Sequence, residues 1–270
     1  MKRSILLLLM VVLGFGIGFF GCSGSKQADK SDPEVLRIAL LPDENAATVI
    51  KNNEGLKKYL EKAIGKKIQL VVTTDYSSMI EAMRNGRLEL AYFGPLSYVM
   101  AKEKSPQIEA FAVQVKRGEA TYHGVIIGNV EANIDSLEAV KGKTMAYGDP
   151  ASTSSHLIPK SILVKAGFTA KTDYEEQHVG SHDSVALAVQ NGTAQMGGLS
   201  KPIFEALVAK GTIDKSKVKV ITVSDPYPNY PWTMQSYLKK ELKEKIVNAF
   251  LNLKDKSVLK PLKADGFVKA

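Results

Sequence analysis

The chain has a single cysteine, Cys22, in 270 residues, so no internal disulfide can form in any redox compartment. Its four histidines have no cysteine partners and no helical H-E-x-x-H spacing, which leaves no metal site to read. The G-x-S-x-G nucleophile elbow is missing. Gly142-Lys143-Thr144 has the ending of a phosphate-binding P-loop, but Leu137 stands where the first glycine is required, and a strand follows instead of a helix. The adjacent acids Asp43-Glu44 and Glu175-Glu176 read as solvated, not as a general acid and base. These absences argue against an enzyme and against a cofactor. Basic residues outnumber acidic ones, 36 to 28, for a formal charge of +8. None of the basic clusters interleaves with aromatics, so nucleic acid is not indicated. The moderate excess suits work beside anionic lipid or the capture of anions.

The amino terminus differs in kind from the rest. Met1-Lys2-Arg3 is positive and Ser4 to Phe20 is an apolar run, the pattern of a signal peptide over residues 1–21. Phe19-Phe20-Gly21-Cys22-Ser23 resembles a bacterial lipoprotein cleavage site, in which the Cys22 thiol receives a diacylglycerol; Phe19 and Phe20 depart from the usual leucine and small residue. The competing reading is an uncleaved membrane anchor, since about twenty residues span a bilayer. Either places the folded part on the outer side of the cytoplasmic membrane, in the cell envelope. Residues 22–34 are small, polar and charged, as a flexible tether requires.

From Val35 onward, short apolar runs alternate with stretches of helical spacing, the pattern of βαβ units and a mostly parallel sheet. The pattern begins again at Tyr122, whose strand is expected to run to Asn129. Val218 to Val223 reads as the last clear strand, before the proline-rich Ser224 to Trp232, and a tail helix covers Lys239 to Leu253. Two successive α/β patterns without a long linker imply two lobes, with ligand beyond the carboxyl ends of the strands. One such end is distinctive. Gly148 to Pro159 joins a strand to a helix beginning near Leu157 and carries Ser152-Thr153-Ser154-Ser155 with no lysine or arginine. Four hydroxyls at a helix start read first as ordinary caps and, if they point outward, as a cup for an anion. An anion held there would be gripped by neutral donors.

Four segments carry a resemblance: Asp75 to Met83, Ala91 to Tyr98, Gly148-Asp149-Pro150 with Ser152-Thr153-Ser154, and Gly180-Ser181-His182-Asp183 with Ala186 to Val189. In this order they resemble the periplasmic phosphonate- and phosphite-binding proteins of ABC importers, from about Arg37 to Leu253. The resemblance implies a type II periplasmic-binding-protein fold, with two α/β lobes joined by two crossovers around a ligand cleft. Lobe I would comprise 35–120 and 225–270, and lobe II 121–224. Ser152, Thr153 and Ser154 would bind a phosphorus oxyanion, His182 would donate a further bond, and Tyr92 or Phe93 would form an aromatic wall. His123, near the first crossover, could also reach the cleft. At the family's proton-accepting aspartate this chain has Tyr230, and the acid that meets an amino group falls near Pro202. These departures point away from 2-aminoethylphosphonate, toward phosphite, a small alkylphosphonate or phosphate. Tyr92, Phe93, Tyr230 and Trp232 would face the apolar substituent. The implied partners are an ABC permease and its ATPase, with the chain as a lipid-anchored monomer. The alternative partner is a membrane histidine kinase or chemoreceptor, in which case the chain is a sensor.

Overall fold

The computed structural model describes residues 29–270, so the signal peptide, Cys22 and most of the tether lie outside the described residues. Strand β1 (Val35–Leu40) sends Leu36, Ile38 and Leu40 into one core and Ala39, followed by Leu41, into another, as the alternation of a strand requires. Asn45 accepts from the N–H groups of Ala47 and Thr48 to start α1 (Ala46–Ile64), and Gly65 ends it at φ +75°. In chain order there follow β2 (Lys67–Val72), α2 (Tyr76–Arg84), β3 (Leu90–Tyr92), α3 (Pro95–Lys104), β4 (Ile108–Val115), β5 (Thr121–Tyr122), β6 (Gly124–Asn129) and β7 (Thr144–Tyr147). Then come α4 (Ile158–Lys165), β8 (Glu175–His178), α5 (His182–Gln190), β9 (Met196–Ser200), α6 (Lys201–Ala209), β10 (Val218–Val223) and β11 (Tyr227–Pro228). The chain closes with β12 (Pro231–Gln235), α7 (Lys240–Leu251), α8 (Lys256–Leu259) and β13 (Gly266–Val268).

Two sheets result. The first runs β13-β4-β12-β3-β1-β2 and the second β10-β6-β9-β7-β8. Each has apolar clusters on both faces: one cluster joins the first sheet to α1, α7 and α8, another joins it to α2 and α3, and two more cover the second sheet. The two chain crossings between the sheets pair side by side as a short antiparallel ribbon, Tyr122 opposite Tyr227 and Thr121 opposite Pro228.

The sheets are less parallel than the alternating pattern suggests. β1, β2 and β3 are mutually parallel, but β12 is antiparallel to both β3 and β4. β6 is antiparallel to both β9 and β10. β12 itself begins inside the stretch read as proline-rich, Ser224 to Trp232, and runs on to Gln235. Pro231 opens the strand, where its missing N–H costs no ladder bond, and its carbonyl accepts from Phe93 N at 3.1 Å. The strand expected over Tyr122–Asn129 is broken at His123. The expected helix near Leu157 is preceded by a wide π-type turn, Thr153–Leu157, in which Leu157 N bonds to Ser152 O. Pro159, with no N–H to give, sits at the start of α4.

Candidate functional site

The strand ends of both sheets face one another across a cleft, and the Ser152–Ser155 turn lies on the second-sheet side. Its four hydroxyls have separate fates. Ser152 Oγ accepts from Ser155 N at 3.1 Å and so caps its own turn. Ser155 Oγ donates to Gly198 O at 2.5 Å and accepts from Gly148 N at 2.9 Å, which makes it structural. Thr153 Oγ1 accepts from Leu96 N of α3 at 2.8 Å, and its proton stays free to offer elsewhere. Ser154 Oγ is fully buried and has no partner.

His182, the first residue of α5, is 1% exposed. Ser200 N donates to its Nδ1 at 3.0 Å, so the proton of the neutral ring sits on Nε2, which is buried without a partner. Burial pushes its pKa down to about 3, against the pull of Asp183. The ring is therefore a preset neutral donor. Ser154 and His182 flank the same strand pair: Gly124 is opposite Ser200, and Ser154 Cβ packs against the open side of Gly124.

Two tyrosines join them that sequence reasoning did not select as site residues. Tyr76, on α2, and Tyr122, on the first crossing, are buried with hydroxyls that make no hydrogen bond. Tyr76 neighbours Ser152, and Tyr122 neighbours Ser154, Thr153 and Tyr230. Burial holds both phenols above their ordinary pKa, Tyr122 at about 12, so both keep their protons. A tyrosine on an amphipathic helix or short strand reads as core packing. Only an orphaned hydroxyl, a feature of the folded state, marks these two.

Beside this donor cluster opens a cavity of about 250 Å3. Tyr92, Tyr230 and Trp232 line it as a continuous aromatic wall, with ring centroids 5.4 Å (Tyr92–Tyr230) and 4.8 Å (Tyr92–Trp232) apart. His123 also lines it, with Nδ1 donating to Ser224 O at 2.7 Å. Strand alternation separates Tyr92 from Phe93: Phe93 is fully buried in an apolar cluster and does not line the cavity, so the wall belongs to Tyr92. His156 and His178 bond to the carbonyls of Pro150 and Gly148 and pack on Tyr147, a structural role.

Of the adjacent acids at residues 43 and 44, Glu44 is not solvated as the sequence suggests, while Asp43 is partly exposed. Glu44 is buried and paired with Lys263 at 2.5 Å, and Asp43 lines the cavity. Burial first, then the Glu44 charge, pushes the Asp43 carboxyl up to about 7. Cations also line the wider cavity, namely Lys116, Arg117, Lys201 and Lys263, but none belongs to the buried donor cluster.

The two sides of the cleft also cap each other's helices. Besides Leu96 N to Thr153, Tyr76 N at the start of α2 donates to Asp149 Oδ2 at 3.1 Å, and Asn45 N ahead of α1 donates to Asp183 Oδ2 at 3.1 Å. In the opposite sense, His182 N donates to Asp43 O at 2.9 Å. α3 has no side-chain cap of its own, so Thr153 supplies it from across the cleft.

Among relatives, the chain is 29% identical over 245 residues to the phosphate-import protein PhnD of Mycolicibacterium smegmatis, covering 85% of this chain and 76% of that one. It is 28% identical over 257 residues to a probable ABC transporter phosphite binding protein, PhnD1, of Prochlorococcus marinus, covering 89% and 86%. In structure it superposes with TM-score 0.82 and 26% identity on a binding-protein component of an ABC phosphonate transporter from Pseudomonas aeruginosa, over 88% of this chain and 82% of that one. It also superposes with TM-score 0.81 and 23% identity on Prochlorococcus PhnD1 in complex with methylphosphonate, over 88% and 93%. These neighbours establish the type II two-lobed fold. Residues 38–270 match the family described as ABC transporter, phosphonate, periplasmic substrate-binding protein, and the chain belongs to that family of transport proteins, which bind their substrates and are not enzymes.

Proposed function

We propose that this protein captures a small phosphorus oxyanion, either phosphite, an alkylphosphonate or phosphate, and delivers it to the permease and ATPase of an ABC importer. The observation that carries this reading is the group of buried, unpartnered donors at Ser154, Tyr76, Tyr122 and His182. Buried donors left unpaired are few in native folds, and four of them gathered in one place call for a partner from outside the chain. Uncharged hydroxyls and a neutral imidazole suit a tetrahedral anion that is recognised by hydrogen-bond count. Ser152 and Thr153 complete the cup, and the free proton on Thr153 is the part of its hydroxyl left for the ligand. The Tyr92–Tyr230–Trp232 wall with His123 would face the hydrogen or alkyl group that replaces one phosphate oxygen. The names of the relatives, phosphate-import and phosphite binding, support the same class.

Titration calorimetry with phosphite, methylphosphonate and phosphate tests the reading. Micromolar or tighter binding of at least one is expected, and no heat or thermal shift with any of them overturns it. We further propose that lobe I comprises 35–120 with 225–270 and lobe II 121–224, and that the protein is a monomer. Cys22 is assigned a lipid that holds it at the outer face of the cytoplasmic membrane. Cys22→Ala should move the protein from the membrane to the soluble fraction.

A further inference from the structure

The positive charge of the chain is not spread evenly. Residues 46–64 and 239–263, which hold α1, α7 and α8, carry 12 lysines and 5 acids, a surplus of seven. Residues 29–270 together have a surplus of five, so everything outside these two stretches is net negative. The three helices form one layer. Tyr59 Oη of α1 donates to Ala249 O of α7 at 2.9 Å, a Cβ on Gly55 of α1 would meet Val258 of α8 at 3.7 Å, and their apolar sides share one cluster with the first sheet. The lysines lie on the other side. Buried Val49, Leu56, Leu60 and Ile64 alternate along α1 with exposed Lys51, Lys58 and Lys62, as the period of a helix requires. Around α8, Lys254, Lys256 and Lys260 are exposed while Val258 and Leu259 are buried. Lys57, Lys240, Lys243 and Lys263 have acidic partners, but these six lysines have none among the described residues.

Such a face suits a partner that offers many negative charges and no pocket. No large apolar side chain is exposed on α1, α7 or α8, so the layer lacks the anchors on which a protein interface centres. All twelve cations are lysines, and none is the arginine favoured for nucleic-acid recognition. The place where the chain enters the structure points to lipid. Asp29 and Asp32 both pair with Lys239, just ahead of α7, and Asp32 also pairs with Lys66, just after α1. Lys239 N donates to Ser31 O at 2.8 Å. The segment leading back to Cys22 therefore leaves from the edge of this same layer. Cys22 stands seven residues before Asp29, at most about 25 Å of extended chain, which is less than the length of α1, about 28 Å. A lipid on Cys22 would keep the layer close to the headgroups.

We propose that the layer of α1, α7 and α8 is a docking face for an anionic lipid surface, so that the domain lies on its membrane by this side. The inference does not depend on what the cleft holds. It complements the lipid assigned to Cys22: the acyl chains hold the protein at the membrane, and the lysines set which side faces it. Each lysine near an anionic surface adds a weak attraction that fades within a Debye length, about 8 Å at physiological salt. The contact is correspondingly weaker than the anchor, and loss of the lipid still releases the protein. Asn52 and Asn53 of α1 and Pro261 to Lys263 after α8 line the cavity. Docking by this layer thus holds the edge of the cavity about 10 Å, one helix diameter, from the headgroups.

Co-sedimentation of the lipid-free chain, residues 22–270 carrying Cys22→Ala, with vesicles containing phosphatidylglycerol and with vesicles of phosphatidylcholine alone tests it. At about 0.1 M salt the protein should partition onto the anionic vesicles at least about tenfold more strongly than onto the neutral ones, and about 1 M salt should abolish the difference. Lys58→Gln, Lys62→Gln, Lys256→Gln and Lys260→Gln together should lower partition onto the anionic vesicles by at least about tenfold. The same loss of charge at Lys165, Lys210, Lys215 and Lys217, exposed on the second-sheet side, should lower it by less than about threefold. Thermal melts check that each variant folds. If the layer variant does not, Lys51→Gln with Lys254→Gln should still weaken partition by at least about threefold, and partition equal to the parent's overturns the proposal. Equal losses from the two sets of four also overturn it, as does a parent that does not prefer the anionic vesicles. Tighter binding of a DNA duplex than of the anionic vesicles at the same salt assigns the face to nucleic acid and overturns it too.

Discussion

At Ser155 the hydroxyl holds two main-chain partners, Gly198 O and Gly148 N, while one residue earlier Ser154 Oγ holds none. The two serines should therefore respond oppositely to alanine. Ser154→Ala should weaken ligand binding by about tenfold and leave the thermal stability of the free protein unchanged or slightly raised, because an unpaired buried hydroxyl is removed. Ser155→Ala should destabilise the free protein by about 1–3 kcal/mol, because two buried main-chain groups lose their partner. Thermal melts with and without ligand separate the two effects. His182 adds a pH signature. Its folded pKa lies below the ordinary histidine value, so the stability it contributes is present above about pH 6.5 and declines as pH falls toward about 3. The stability gap between the parent and His182→Gln should therefore narrow between pH 6.5 and 4, by at least about 1 kcal/mol. A constant gap would mean that the ring is not buried neutral.

Elements meet at unusually small residues in β9. A Cβ on Gly198 would lie 2.3 Å from Pro159 Cγ, and one on Gly197 would lie 2.7 Å from Val185 Cγ1, so these glycines let α4 and α5 close on opposite faces of one strand. Gly198→Ala should cost about 1–3 kcal/mol by overpacking, measured by chemical denaturation. The hydroxyl-rich strand-to-helix turn at Gly148–Pro159, and the βαβ alternation around it, were legible because strands and helices leave distinct periods and serines at a helix start have few other uses. β12 was not legible, because Pro226, Pro228 and Pro231 mark a loop while the strand pairing depends on β3 and β4, more than a hundred positions away. Nor were Tyr76, Tyr122 and Asp43. An isolated tyrosine or acid carries no pattern; the two tyrosines are marked by their unpaired buried hydroxyls and Asp43 by the cavity it lines.

Across the whole molecule, the amides of Asn45, Tyr76, Leu96 and His182 donate from one side of the cleft to the other. Opening the cleft would release all four at once, so ligand addition should slow hydrogen exchange at these four amides together. Protection that grows at one and not at the others would show that the lobes do not move as rigid halves. Thr153→Val, which loses the cap on α3, should weaken that protection, whereas Thr153→Ser should keep it; a cap is worth about 0.5–2 kcal/mol. The position of β12 has a consequence for biogenesis. It fills the slot between β3 and β4 in the middle of the first sheet, so a nascent chain lacking residues 231–235 has two unsatisfied strand edges where its central strand belongs. Contacts of such long sequence separation form late. The amino-terminal half must therefore wait, unfinished, for the carboxyl-terminal strand to be synthesised, and a delay of that kind keeps a secreted chain loose enough to thread through an export channel before it locks.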